Sequence, residues 1–217
     1  MVTDLFESLG AVGPSREPLA DGAVLLRGFV RPQQHELISA VEAITAQAPF
    51  RHLITPGGYR MSVGMTNCGD VGWVSDSSGY RYDAIDPESG RPWPAMPVPF
   101  RKLAEDAAAE AGFPGFAPDA CLINRYQPGA RLSLHQDRDE LHLGAPIVSV
   151  SLGLPATFLF GGLKRSDPTR RTRLEHGDVV VWGGPARLAF HGVAPLAEGE
   201  HGLLGQQRIN LTFRRAR

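Results

Sequence analysis

The stretch CLINRYQPGARLSLHQDRD, residues 121–139, carries two strand-like runs on either side of a turn signal. In the second run the apolar Leu132 and Leu134 alternate with polar residues, so Ser133, His135, Asp137 and Asp139 fall on one face of an extended chain. Gln127-Pro128-Gly129-Ala130 between the runs has the composition of a tight turn. A hairpin centred there would pair Tyr126 with Arg131, Asn124 with Ser133 and Leu122 with His135. Directly opposed residues share a sheet face, so Asn124 and Tyr126 are expected to point the same way as His135 and Asp137.

Outward from this stretch the texture repeats. Short alternating or apolar runs at 121–126, 132–137, 147–154, 157–160, 171–174, 179–182, 188–191 and 208–214 are separated by turn residues. Eight short strands at this spacing suggest a sandwich or barrel, and a double-sheet jelly roll is an eight-strand solution. The predicted class is therefore mainly β, of α+β type. On the N-terminal side a strand is expected over 23–29 and a helix from Pro32 to about Ala48, with Leu37, Ile38, Val41 and Ile44 at helical spacing. A second helix is expected from about Pro99 to Glu110, stopped by Gly112 and Pro114.

Between the helices, residues 50–97 are rich in Gly, Pro, Tyr and Trp with little regular pattern. So long an irregular segment is unusual in a compact domain unless it serves as a lid or binding loop, and it is assigned to the substrate side. The chain thus divides into N-terminal support (1–49), lid (50–97) and core (98–217), all within one domain. Its 217 residues suffice for one packed core.

Composition narrows the class further. No apolar run approaches the length of a membrane span, and residues 1–14 lack the basic and apolar regions of a secretory signal, so a soluble, cytoplasmic, monomeric protein with no membrane partner is expected. Cys68 and Cys121 are the only cysteines and fit no disulfide framework or CxxC pair. A net charge of −1 argues against affinity built on blanket phosphate neutralisation, although residues from Gly161 onward hold ten Lys/Arg against five Asp/Glu.

The polar face at 133–139 suits a metal. Positions i and i+2 of a strand lie roughly 6.5–7 Å apart, close enough for an imidazole and a carboxylate to converge on one ion. His135-x-Asp137 has a rival in His176-Gly177-Asp178, but the central Gly and the flanking runs make that match read as a hairpin turn. His191, at the end of the expected strand 188–191, is the candidate third ligand. Two histidines and a carboxylate on one face of divalent iron leave three adjacent positions for a bidentate 2-oxo acid and dioxygen.

In Arg208-Ile209-Asn210-Leu211-Thr212-Phe213-Arg214, alternation puts Arg208, Asn210, Thr212 and Arg214 on one face. Two interior arginines are costly unless an anion meets them, and a dicarboxylate would do so.

Taken together, Asn124-x-Tyr126, Pro128-Gly129, His135-x-Asp137-x-Asp139, His191 and Arg208-x-Asn210-x-x-x-Arg214 resemble the AlkB family of DNA and RNA dealkylating dioxygenases. The likeness extends to Thr55-Pro56-Gly57-Gly58-Tyr59, Met65-Thr66-Asn67-Cys68-Gly69, Trp93-Pro94-Ala95-Met96-Pro97 and Gly161-Gly162-Leu163-Lys164-Arg165. The resemblance implies a double-stranded β-helix core and a nucleotide-recognition lid. It implies iron on His135, Asp137 and His191, 2-oxoglutarate on Asn124, Tyr126, Arg208, Asn210 and Arg214, and substrate bordered by Trp73, Tyr80, Tyr82, Asp139 and Arg165.

The implied reaction couples 2-oxoglutarate and O2 to succinate, carbon dioxide and formaldehyde while removing a methyl group from 1-methyladenine or 3-methylcytosine. Such bases are cationic, and an aromatic face at Trp73 with a carboxylate at Asp139 suits a flipped cation. Arg125, Arg138, Lys164 and Arg165 are candidates for contacts with the nucleic-acid backbone. The stretch 74–78 departs from a phosphate-binding pattern in carrying an acid, Asp76, and no base. Two other readings stand beside this one: the same chemistry on a protein or small molecule, and a non-redox zinc or cupin-like site.

Overall fold

The computed structural model describes residues 15–217, so the reading of residues 1–14 concerns residues outside that range. Thirteen strands and two α-helices follow in the order β1 (Arg16–Ala20), β2 (Ala23–Leu26), α1 (Gln34–Gln47), β3 (Gly64–Gly69), β4 (Gly72–Asp76), β5 (Gly79–Asp83), α2 (Val98–Glu110), β6 (Ala120–Tyr126), β7 (Leu132–His135), β8 (Ile147–Gly153), β9 (Ala156–Phe160), β10 (Arg170–Leu174), β11 (Val179–Trp182), β12 (His191–Val193) and β13 (Arg208–Arg214). A seven-stranded sheet has the order β1-β2-β11-β8-β13-β6-β3, and a four-stranded sheet the order β10-β9-β12-β7. The hairpin β4-β5 stands apart as a two-stranded sheet.

Alternation along the central strands makes three layers. Ile209, Leu211 and Phe213 of β13, Cys121 and Ile123 of β6, and Val148 and Val150 of β8 face α1 and α2 in one core cluster. The opposite face supplies Leu122, Tyr126 and Trp182 to a second cluster shared with Phe158, Phe160 and Val193 of the smaller sheet. The functional face of β13 therefore looks into the space between the sheets. Helix α1 seats Leu37, Val41 and Ile44; each such side chain contributes roughly 1.5–3 kcal/mol when fully buried. Helix α2 seats Phe100 edge-on to Phe213, with centroids 5.8 Å apart. It ends in a Schellman motif: Phe113 N–H reaches Ala108 O at 2.8 Å, Gly112 N–H reaches Ala109 O, and Gly112 holds φ +95°.

Several expectations need correction. β6 and β7 do not form a hairpin: β6 lies between β13 and β3, whereas β7 pairs with β12 in the other sheet. The turn at Gly129 (φ +84°) carries the chain from one sheet to the other, and the faces of β6 and β7 meet because the sheets are stacked. The 132–137 strand stops at His135, and the strand expected over 188–191 begins at His191 instead of ending there. Residues 50–97 are not uniformly a lid, since β3 is the edge strand of the main sheet, its Met65 buried between the sheets. Its sequence, GMTNCG, is buried throughout and shows no alternation to announce a strand. The largely exposed β1, REPLA, escaped notice for the converse reason. The turn at His176-Gly177-Asp178 is present, with Gly177 at φ +90°, but it joins β10 to β11 across the sheets and is no hairpin.

Candidate metal centre and active site

His135 on β7 and His191 on β12 are register partners in the smaller sheet, their ring centroids 4.4 Å apart. The strands approach closely because Gly192 has no side chain; a Cβ there would lie 2.7 Å from the Leu132 carbonyl oxygen. Asp137, two residues past the end of β7, turns its carboxylate between them. His135 Nε2 lies 3.6 Å from Asp137 Oδ1, and His191 Nε2 lies 3.7 Å from Asp137 Oδ2. Among the described residues this is the one group of three or more His, Cys, Asp or Glu with metal-ligand spacing, all ligand atoms within 4.8 Å of one another. His176 is otherwise engaged: its Nδ1 accepts from Gly153 N–H and its Nε2 meets Gln34 Oε1.

The donor chemistry fits an ion. His135 Nδ1 lies 2.8 Å from Ser133 O and His191 Nδ1 lies 3.0 Å from Ala189 O. A carbonyl only accepts, so each Nδ1 carries the proton and each Nε2 presents a bare lone pair toward Asp137. Burial lowers the His191 pKa to about 4, with His135 adding to the effect, so His191 is neutral at physiological pH. Burial acts to raise the Asp137 pKa, but the Arg214 guanidinium, followed by His191 and His135, holds it well below the usual carboxylate range.

The face of β13 continues the site. Arg214 donates through Nη2 at 2.6 Å and Nε at 3.0 Å to Asp137 Oδ2, and its Nε lies 3.2 Å from Glu140 Oε1. It is an ion-paired arginine and not a free one. Arg208 differs: it is 1% exposed, and its one side-chain bond runs from Nη2 to Ser151 Oγ at 2.9 Å. Nε and Nη1 of Arg208 are buried without a partner, and Asn124 Oδ1 is likewise unmatched. Desolvation lowers the Arg208 pKa, and the Tyr126 ring lies 4.9 Å below its guanidinium. A buried cation facing a cavity with unused donors is a receptor for a carboxylate. Asn210 is more fully engaged, giving Nδ2 to Ser149 Oγ and Val150 O and taking Thr212 Oγ1–H and Asn124 Nδ2–H on Oδ1.

His135, Asp137, His191, Arg208, Asn210 and Arg214 all line one cavity of about 900 Å³. Of the residues nominated from sequence, Trp73, Tyr80, Asn124, Tyr126, His135, Asp137, Asp139, Arg165, His191, Arg208, Asn210 and Arg214 line it, and Tyr82 does not. Trp73 and Tyr80, on the hairpin β4-β5, are stacked at 5.4 Å with a 14° interplanar angle, and Trp73 Nε1–H donates to Asp139 Oδ2 at 2.9 Å. Rings this close leave no slot between them, so a planar guest would lie on an outer face. Arg165 Nη1 is fixed to Leu134 O at 2.7 Å. Of the proposed backbone-contact residues, Arg138 and Arg165 reach the cavity, whereas Arg125 stacks on Phe50 in a separate cleft beside α1. Asp76 is neutralised by Arg81 at 2.9 Å, which softens the acidity of that loop.

Not foreseen from sequence were Ser149 and Ser151, which partner the cavity residues, and the buried pair Glu140–Arg187; Thr212, placed on the polar face of its strand, bonds Asn210 Oδ1. The signal for the first two was present as Ser-x-Ser inside an otherwise apolar strand. Glu140 and Arg187 had none, since nothing in their neighbours foretells burial.

Comparison with known proteins agrees with this geometry. A family model described as the 2OG-Fe(II) oxygenase superfamily matches residues 22–214. The chain is 60% identical to the alpha-ketoglutarate-dependent dioxygenase AlkB of Escherichia coli (strain K12) over 94% of each chain. It is 51% identical to the alpha-ketoglutarate-dependent dioxygenase AlkB homolog of Caulobacter vibrioides (strain NA1000 / CB15N), over 85% of this chain and 82% of that one. The solved structure of OsALKBH1 superposes with a TM-score of 0.82 at 31% identity, over 93% of this chain and all of that one.

Proposed function

Since this chain belongs to the 2OG-Fe(II) oxygenase superfamily, and within it to the AlkB family, we propose that it removes N-linked methyl groups from bases of the 1-methyladenine and 3-methylcytosine type in nucleic acid. It is an Fe(II)- and 2-oxoglutarate-dependent dioxygenase. The observation that carries the substrate reading is the stacked Trp73–Tyr80 platform with Asp139 beside it, on the same cavity as the His135–Asp137–His191 group. A ring-methylated base is a flat cation, and an aromatic face next to a carboxylate recognises both properties.

Iron(II) bound there would supply the activation of dioxygen against 2-oxoglutarate. The chain's own groups perform the rest. His135 and His191 offer bare Nε2 atoms, and Asp137 offers a carboxylate oriented by Arg214. Arg208, with Ser151 and Tyr126 around it, would take one carboxylate of 2-oxoglutarate on its unused Nε and Nη1. Trp73 and Tyr80 would hold the flipped base while Asp139 balances its charge. The methyl group is thereby placed toward the two histidines, and positioning is the protein's main contribution. In balance, the cationic N-methyl base, 2-oxoglutarate and O2 give the neutral unmodified base, formaldehyde, succinate, carbon dioxide and a proton.

No helix among the described residues is long and apolar enough to cross a membrane. We place the enzyme in the cytoplasm as a monomer, with the parts of 50–97 outside β3 as the lid segment and 98–217, joined by β3, as the catalytic core. Formaldehyde release from oligonucleotides bearing 1-methyladenine or 3-methylcytosine tests the substrate assignment. Release from these and none from unmethylated controls is expected; turnover of 2-oxoglutarate on methylated peptides alone would overturn it.

A further inference from the structure

Tyr82 stands apart from the aromatic residues of its hairpin. It is paired in register with Trp73, yet its ring packs with Ala84 against Val71, Ala120 and Ala216, away from the cavity. Its hydroxyl donates to Glu140 Oε1 at 2.7 Å. Consecutive acids thus receive two of the hairpin's three aromatic donors: Asp139 takes Trp73 Nε1–H on the base side, and Glu140 takes Tyr82 O–H in the interior.

Glu140 is the hub behind the metal ligand. Its side chain is 2% exposed, so its charge depends on close partners. Oε2 meets Arg187 Nη2 at 3.0 Å, and Oε1, besides the Tyr82 hydroxyl, lies 3.2 Å from Arg214 Nε. Both arginines also fix Asp137, Arg214 through the carboxylate and Arg187 through the backbone carbonyl at 2.7 Å. One guanidinium, that of Arg214, is therefore shared by two carboxylates. How it is divided depends on what else each carboxylate accepts, and the Tyr82 hydroxyl occupies Glu140 at the contested oxygen.

We infer that Tyr82 is a positioning residue for the co-substrate end of the site: by engaging Glu140 it leaves the Arg214 guanidinium to Asp137, whose carboxylate lines the cavity that takes the 2-oxo acid. This rests on the co-substrate reading of the cavity given above. It moves Tyr82 from the base-binding group, where family resemblance puts it, to the opposite substrate. Without the hydroxyl, Glu140 Oε1 draws Arg214 Nε toward itself and away from the cavity.

Tyr82→Phe removes one oxygen and keeps the packed ring. Titration of 2-oxoglutarate into Mn(II)-loaded protein, without nucleic acid or turnover, is expected to show affinity reduced about three- to tenfold, the size of one lost hydrogen bond. The KM for 2-oxoglutarate should rise in parallel, the charge-transfer band of the anaerobic Fe(II) complex should shift, and the KM for methylated oligonucleotide should stay constant. Asp139→Asn gives the mirror image, with oligonucleotide KM raised and 2-oxoglutarate affinity kept. Tyr82→Phe combined with Glu140→Gln should bind 2-oxoglutarate no more weakly than Glu140→Gln alone, because Tyr82 acts only through Glu140. Unchanged 2-oxoglutarate affinity in Tyr82→Phe, or a loss confined to the oligonucleotide KM, overturns the inference. A wild-type protein that takes up no 2-oxoglutarate overturns the co-substrate reading itself, and this inference with it.

Discussion

Two histidines face each other across neighbouring strands with their Nε2 lone pairs bare, because each Nδ1–H is spent on a carbonyl two residues upstream. Nothing in His-x-Asp as a pattern reveals that tautomer; strand parity selected His135 and Asp137, and geometry supplied the reason they can coordinate. The two arginines were less legible in the sequence. Alternation placed both inside, but it could not tell that Arg214 is already paired with Asp137 while Arg208 has two idle donors. That difference carries a prediction. Arg208→Met removes an uncompensated buried cation, so the ligand-free protein should melt at an equal or higher temperature than wild type. Loss of a buried carboxylate partner costs about 2–5 kcal/mol, so 2-oxoglutarate should no longer raise that melting temperature. Paired melting curves with and without 2-oxoglutarate, in Mn(II), check both halves; an unaltered shift would contradict the assignment of Arg208.

At the scale of elements, strands with clean alternation were legible and those without it were not. The residues of β13 read correctly because polar and apolar positions strictly alternate, whereas β3, buried on both faces, and the mostly exposed β1 gave no periodic signal. The pairing of β6 was misread for a related cause: the Pro128-Gly129 turn fixes a reversal but not which sheet receives the returning strand. Stacked sheets brought the expected faces together all the same. One element-level feature went unnoticed, the close passage of β12 over β7 at Gly192. Gly192→Ala should push β12 off β7, separate His191 from His135 and weaken Mn(II) binding by roughly tenfold, the effect of a small misplacement of a metal ligand. Metal titration followed by calorimetry measures this, and wild-type affinity in the variant would count against the close-packing argument.

The whole molecule combines a helix-backed seven-stranded sheet with a smaller sheet, and the cavity lies between the sheets with the aromatic hairpin β4-β5 at its edge. His176 ties this frame together, linking Gly153 at the end of β8 to Gln34 at the start of α1. Burial, with contributions from His201 and Arg31, lowers its pKa to about 4, against an ordinary 6.5. Between those values the unfolded chain binds a proton that the folded chain refuses, so this group's contribution to stability falls as the pH drops from about 6.5 to about 4. His176→Gln should therefore cost most stability above pH 6.5, with the deficit shrinking toward pH 4 in urea unfolding of the metal-free protein. A deficit that grows on acidification would reverse the sign of the argument.

Residues, elements and layers converge on one cavity, proposed above to oxidise 2-oxoglutarate and a methylated base together. Simultaneous measurement of succinate and formaldehyde during turnover, with and without an oligonucleotide carrying 1-methyladenine, tests it most directly. The methylated strand is expected to accelerate succinate formation strongly, with the two products then appearing one for one. Succinate formed at the same rate without the strand, with no formaldehyde when the strand is present, would contradict it.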